Sequence, residues 1–105
     1  MGYGTTGSEQ FNDEFDIDNL IRHVLTELKK ARTKFPGNKW QFAAFMEEVG
    51  ELSQALMEHS RTNGEHEKYT EEFIKKELYQ VITMAMRIYL EGSHEFKYKN
   101  PNFKP

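Results

Sequence analysis

The 105-residue chain reads as an all-α protein, an antiparallel bundle of three main helices over about residues 17–34, 39–59 and 70–91. Three observations point there. Apolar residues recur at three- and four-residue steps in three separate segments, which is the mark of a helix with one buried face. The segments are separated by breakers, Phe35-Pro36-Gly37-Asn38 and the polar stretch SRTNGEHEKY with its central Asn-Gly. No segment shows the two-residue alternation of a strand.

The first helix carries Ile17, Leu20, Ile21, Val24, Leu25 and Leu28 on one stripe. Asp16 or Asp18 is its expected cap, since a short acid accepts from the free amides of a first turn. Lys29, Lys30, Arg32 and Lys34 crowd its end, where cations suit the helix dipole. The second helix carries Phe42, Phe45, Met46, Val49, Leu52 and Leu56, with Asn38 as expected cap. The third opens at Thr70, has Glu71 and Glu72 in its first turn, and ends at Gly92. Residues 1–15 are expected to be a flexible segment, 16–92 the helical domain, and 93–105 a tail with little regular structure. Three helices with one apolar face each close a core poorly. A second copy is therefore expected to complete a four-helix-type arrangement, as a homodimer or a dimer of dimers.

Composition narrows the function. The net charge is −3, so no overall positive field draws the chain to nucleic acid or to an anionic membrane. There is no cysteine, which removes disulfides, thiolate zinc sites and cysteine nucleophiles. Met1 to Phe15 has no apolar run and does not read as a signal peptide. The expected location is the cytoplasm. Glu91 and His94 have the Glu-x-x-His spacing of di-iron bundles, but Gly92-Ser93 interrupts any helix there.

The chemistry lies in the carboxylates. The second helix contains Glu47-Glu48-Val49-Gly50-Glu51, and the third contains Glu77-Leu78-Tyr79-Gln80. Residues three or four apart share a helix face, so Glu48 and Glu51 form one pair and Glu77 and Gln80 another. Two packed helices of this kind gather oxygens around one point, as a hard divalent cation requires. By helical position alone Glu47 and Glu51 fall opposite the apolar stripe, as solvated glutamates do. Glu77 lies close to its stripe, between Ile74, Leu78 and Val81, and a carboxylate there needs a partner.

The string EEVGEL with a second acidic motif on the next helix resembles the MazG-like all-α nucleoside triphosphate pyrophosphohydrolases, which include the dimeric dUTPase-like and dCTP pyrophosphatase-like proteins. Their pattern is ExxE followed by ExxD, and the similarity spans about residues 17–90. It implies cleavage of a nucleoside triphosphate between the α- and β-phosphates, with Mg2+ (or Mn2+) as cofactor. By matching position, Glu48, Glu51, Glu77 and Gln80 would hold the metal, and Glu47 would be a further ligand or the group that activates water. Gln80 stands where the family has Asp, which removes one negative charge from the site. The family also continues into a fourth helix bearing Lys and Asn, whereas here only a tail with Lys97 and Asn100 follows Gly92. Lys39 and Trp40, just before the second helix, are candidate contacts to phosphate and base. The alternative reading is a weakly active or inactive MazG-like homodimer that binds nucleotide, metal or a protein partner.

Overall fold

A computed structural model describes residues 13–103, with side chains from residue 16. It contains three long helices: α1 (Asp13–Lys34), α2 (Gln41–Arg61) and α3 (Glu71–Glu91). A single 3-10 turn, His94–Phe96, follows. The expected flexible segment falls outside the described residues up to position 12, and residues 13–15 are helical. Among the described residues there is no strand, only one isolated bridge between Ser93 and Tyr98, and no helix is long and apolar enough to cross a membrane.

The helices start and stop for local reasons in most places. Thr70 caps α3, its hydroxyl accepting from the Phe73 amide at 3.1 Å. Gly92 ends α3 with φ +82°, and a Cβ there would run into the Tyr98 carbonyl. The loop after α2 turns through Asn63 and Gly64, both at positive φ. Two histidines tie that loop down. His59 Nδ1 lies 2.7 Å from the Tyr69 carbonyl, and His66 Nδ1 accepts from the Lys68 and Tyr69 amides.

Three cap and boundary expectations need correction. Because α1 begins at Asp13, Asp16 and Asp18 lie inside its first turns, where their charges suit the dipole but cap nothing. Asn38 does not cap α2; its amide donates to the Glu91 carbonyl at 2.7 Å. Trp40 occupies the cap position without a side-chain hydrogen bond. The free amides of Phe42 and Ala43 are instead taken by the Glu95 carboxylate, at 2.8 and 3.0 Å. The segment after α3 holds little regular structure, as expected, but it is tied to the bundle through side chains. It forms its 3-10 turn and sets Phe96 edge-on against Phe42, ring centroids 4.8 Å apart.

α3 is the central element, with α1 and α2 each packed along it. The apolar core is thin: Val24, Leu28, Ala55 and Met84 are its buried members. Ile17, Ile21 and Leu25 of the α1 stripe remain about half exposed, because α1 packs closely on α3 alone. One polar cluster joins the bundle at the end of α3. Glu91, almost fully buried, accepts from Arg32 of α1, from Gln41 of α2 at 2.8 Å and from Arg87 at 3.1 Å. Arg87 also donates to the Phe35 and Gly37 carbonyls at 2.8 and 2.9 Å, which pins the α1–α2 connection to α3.

Candidate metal centre

Helical geometry sets Glu48 and Glu51 one turn apart on α2, and the antiparallel packing of α3 brings Glu77 opposite them. One carboxylate oxygen from each lies within 4.8 Å of the other two. Metal–oxygen bonds of about 2.1 Å span such a group after small side-chain rotations. Glu48 and Glu77 are half-buried and Glu51 is exposed, so the cluster sits at the rim of the bundle with one side toward solvent.

Three like charges this close are costly without a counter-charge. Burial, and then the charges of Glu51 and Glu77, push the Glu48 carboxyl from its ordinary 4.5 up to about 7. Burial, and then the charge of Glu51, also raises Glu77. Glu77 Oε1 is buried with no hydrogen-bond partner. A divalent cation would satisfy that oxygen and relieve the repulsion, so the donor set fits a hard cation.

The cluster adjoins a cavity of about 550 Å3. Its floor is Gln80, Met84 and Arg87 of α3, and Glu48 connects it to the carboxylates. Glu47, exposed, lines the cavity but is not one of the three converging oxygens. Lys39 and Trp40 line the far end, with the lysine Nζ 5.7 Å from the ring centroid. Trp40 is 64% exposed, so it does not cover the core.

Compared with known proteins, the chain matches no family model, no curated protein and no solved structure.

Geometry alone therefore decides what each residue can do. Gln80 is held by a contact that sequence reasoning missed: its amide nitrogen donates to Glu27 Oε1 at 2.9 Å. A carboxylate only accepts, which fixes the amide with its NH2 toward Glu27. The Gln80 carbonyl oxygen is left on the other side, one turn along α3 from Glu77. Glu27 belongs to no motif, but it lies next to Leu28 and three residues from Val24, on the edge of the α1 stripe. That placement was the available signal. The pairing of Arg87 with Glu91 was also missed, although their i, i+4 spacing is that of a helical ion pair. The Glu91 carboxylate is taken up by Arg32, Gln41 and Arg87, which removes it from any di-iron role.

Proposed function

We propose that the chain is a divalent-cation-dependent hydrolase of nucleoside triphosphates, releasing a monophosphate and pyrophosphate. The observation that carries this reading is the convergence of Glu48, Glu51 and Glu77 from two helices beside a cavity that contains Trp40. The resemblance of EEVGEL and the second acidic motif to MazG-like enzymes supports it.

In this reading Glu48, Glu51 and Glu77 would hold Mg2+ or Mn2+, and the Gln80 carbonyl would offer a neutral oxygen beside them. The cation would neutralise phosphate charge and lower the pKa of a water. Glu47, on the cavity wall beside Glu48, accepts the proton of the attacking water. The water oxygen bonds to the α-phosphorus. The bond from that phosphorus to the α–β bridging oxygen breaks, and pyrophosphate departs with the electron pair. Trp40 stacks on the base and Lys39 supplies a positive charge.

Two copies pair through apolar rows that one chain leaves uncovered, Ile17, Ile21 and Leu25 on α1 and Leu78, Ala85 and Tyr89 on α3. A cytoplasmic setting, where magnesium and nucleotides abound, suits this chemistry.

The second reading is a relative that binds without turnover. It is favoured by the Gln80 amide, which is neutral and tied to Glu27. Pyrophosphate release from a panel of triphosphates with magnesium tests both. Under the first reading Glu51→Gln and Glu77→Gln lower release by about a hundredfold or more, as loss of preorganised charge stabilisation does. Undiminished release in Glu51→Gln removes the metal assignment. Release seen only after Gln80→Asp selects the second reading.

A further inference from the structure

The first turn of α2 has no cap of its own. Trp40 stands at the cap position, where Ser, Thr, Asp or Asn would accept from the second or third amide of the helix. An indole only donates. The turn itself, Gln41-Phe42-Ala43-Ala44, carries no acid. Glu95 serves both needs from outside the helix. Its carboxylate accepts from the Phe42 and Ala43 amides at 2.8 and 3.0 Å and sets a negative charge at the positive end of the dipole.

Glu95 is itself held in place. Gly92 at φ +82° turns the chain back, and the backbones of Ser93 and Tyr98 pair in both directions, at 2.8 and 3.1 Å. The Asn100 amide donates to the Tyr89 and Leu90 carbonyls at 3.1 and 2.9 Å, which ties the segment to the end of α3. The Ser93 hydroxyl donates to Glu95 at 3.2 Å. Burial alone would raise the Glu95 carboxyl, but donation from the two amides and from Ser93, with the charge of His94, holds it below its ordinary 4.5. It is therefore ionised at neutral pH.

One wall of the cavity depends on that turn. The Trp40 carbonyl is the first acceptor of α2, taking the Ala44 amide at 3.0 Å. Trp40, Gln41 and Ala44 all line the cavity, and Lys39 lines it just before them. Trp40 is 64% exposed, so packing does little to fix it. The same segment reaches the α1–α2 connection, where the His94 amide donates to the Asn38 carbonyl at 3.2 Å. Glu48 lies seven residues beyond Gln41, or about 10 Å along the helix.

We propose that Glu95 is a positioning residue for the cavity: by capping α2 from beyond the end of α3, it orders Lys39 and Trp40 for the ligand and leaves the carboxylate cluster untouched. The ligand contacts of Lys39 and Trp40 rest on the hydrolase reading; their dependence on Glu95 does not.

Trp40 is the one tryptophan of the chain, so its fluorescence reports on this turn directly. Time-resolved anisotropy of the full chain without ligand is expected to follow whole-molecule tumbling in the wild type and to gain a fast local component in Glu95→Ala. In the same variant KM for triphosphates, and the dissociation constant for α,β-methylene adenosine triphosphate in magnesium, are expected to rise about tenfold, with kcat within about twofold. Manganese affinity should change by less than about twofold, because the cluster is distant from the cap. Glu95→Gln keeps an acceptor oxygen without the charge and should lose about threefold in KM; it decides the question alone if Glu95→Ala does not fold. Ala43→Glu, exposed and outside the cavity lining, gives the first turn its own acid, which can reach back to the Trp40 amide. Added to Glu95→Ala it should bring KM back to within about threefold of the wild type. Unchanged Trp40 anisotropy, a fall in kcat at constant KM, or a loss that Ala43→Glu does not relieve overturns the proposal. Protein whose Trp40 order and analogue binding depend on Glu95, yet which releases no pyrophosphate, overturns hydrolysis alone. Pyrophosphate release with a KM indifferent to residue 95 overturns this inference alone.

Discussion

A carboxyl group raised to about 7 in the folded chain, as at Glu48, keeps its proton over a range where the unfolded chain, near 4.5, has lost it. The folded state binds more protons between those values, so the cation-free protein loses stability as pH rises from about 4.5 to about 7. Thermal melts in chelator should show that decline, and magnesium added above pH 7 should reverse it by binding the folded state alone. Glu48→Gln should flatten the profile. A melting temperature indifferent to both pH and magnesium would count against the cluster as a cation site. Gln80 allows a finer test at the same scale. Glu27→Gln still offers a carbonyl to the Gln80 amide and should change little. Glu27→Lys donates instead of accepting, which turns the Gln80 carbonyl toward residue 27 and its NH2 toward the cavity. Manganese affinity, read by paramagnetic resonance, should fall about tenfold or more in Glu27→Lys. Gln80→Glu added to Glu27→Lys should recover part of it through a new ion pair.

At the scale of the helices, the order of the bundle comes from α3, which holds α1 and α2 through one buried carboxylate. Glu91→Ala leaves Arg87, itself buried, without its charge partner and should cost about 3 kcal/mol, measured as a lower urea midpoint at unchanged slope. A loss below about 1 kcal/mol would mean that the Phe35 and Gly37 carbonyls suffice for Arg87. The same comparison explains what the amino-acid sequence discloses. Apolar periodicity locates all three helices, and the Thr70 cap and Gly92 stop are readable because their partners are local. The start of α2 is not readable, since Glu95 is recruited from beyond the end of α3. The candidate site divides in the same way. Glu48 and Glu51 are visible as a pair by spacing, and Glu77 by its place near an apolar stripe. Glu27 acts only through a contact between helices, and no spacing rule encodes such a contact.

Taken as a molecule, the described chain buries few large apolar side chains and leaves Ile17, Ile21 and Tyr89 half exposed or more, with Leu25 only slightly less so. Exposed apolar rows on this scale point to association. Light scattering should give at least twice the chain mass of 12.4 kDa, and Ile21→Glu should reduce it to that of one chain. A wild-type particle of 12.4 kDa would remove the dimer. The Glu95 clasp has a further consequence, for the timing of assembly. The amides of Phe42 and Ala43 leave the ribosome some fifty residues before the carboxylate that receives them. Until Glu95 emerges, the opening turn of α2 has no side-chain acceptor and stays frayed, with Lys39 and Trp40 beside it. The rim of the cavity at Lys39 and Trp40 is therefore among the last parts to set, and a ribosome stalled before residue 95 would display the carboxylate pair on α2 without a finished rim.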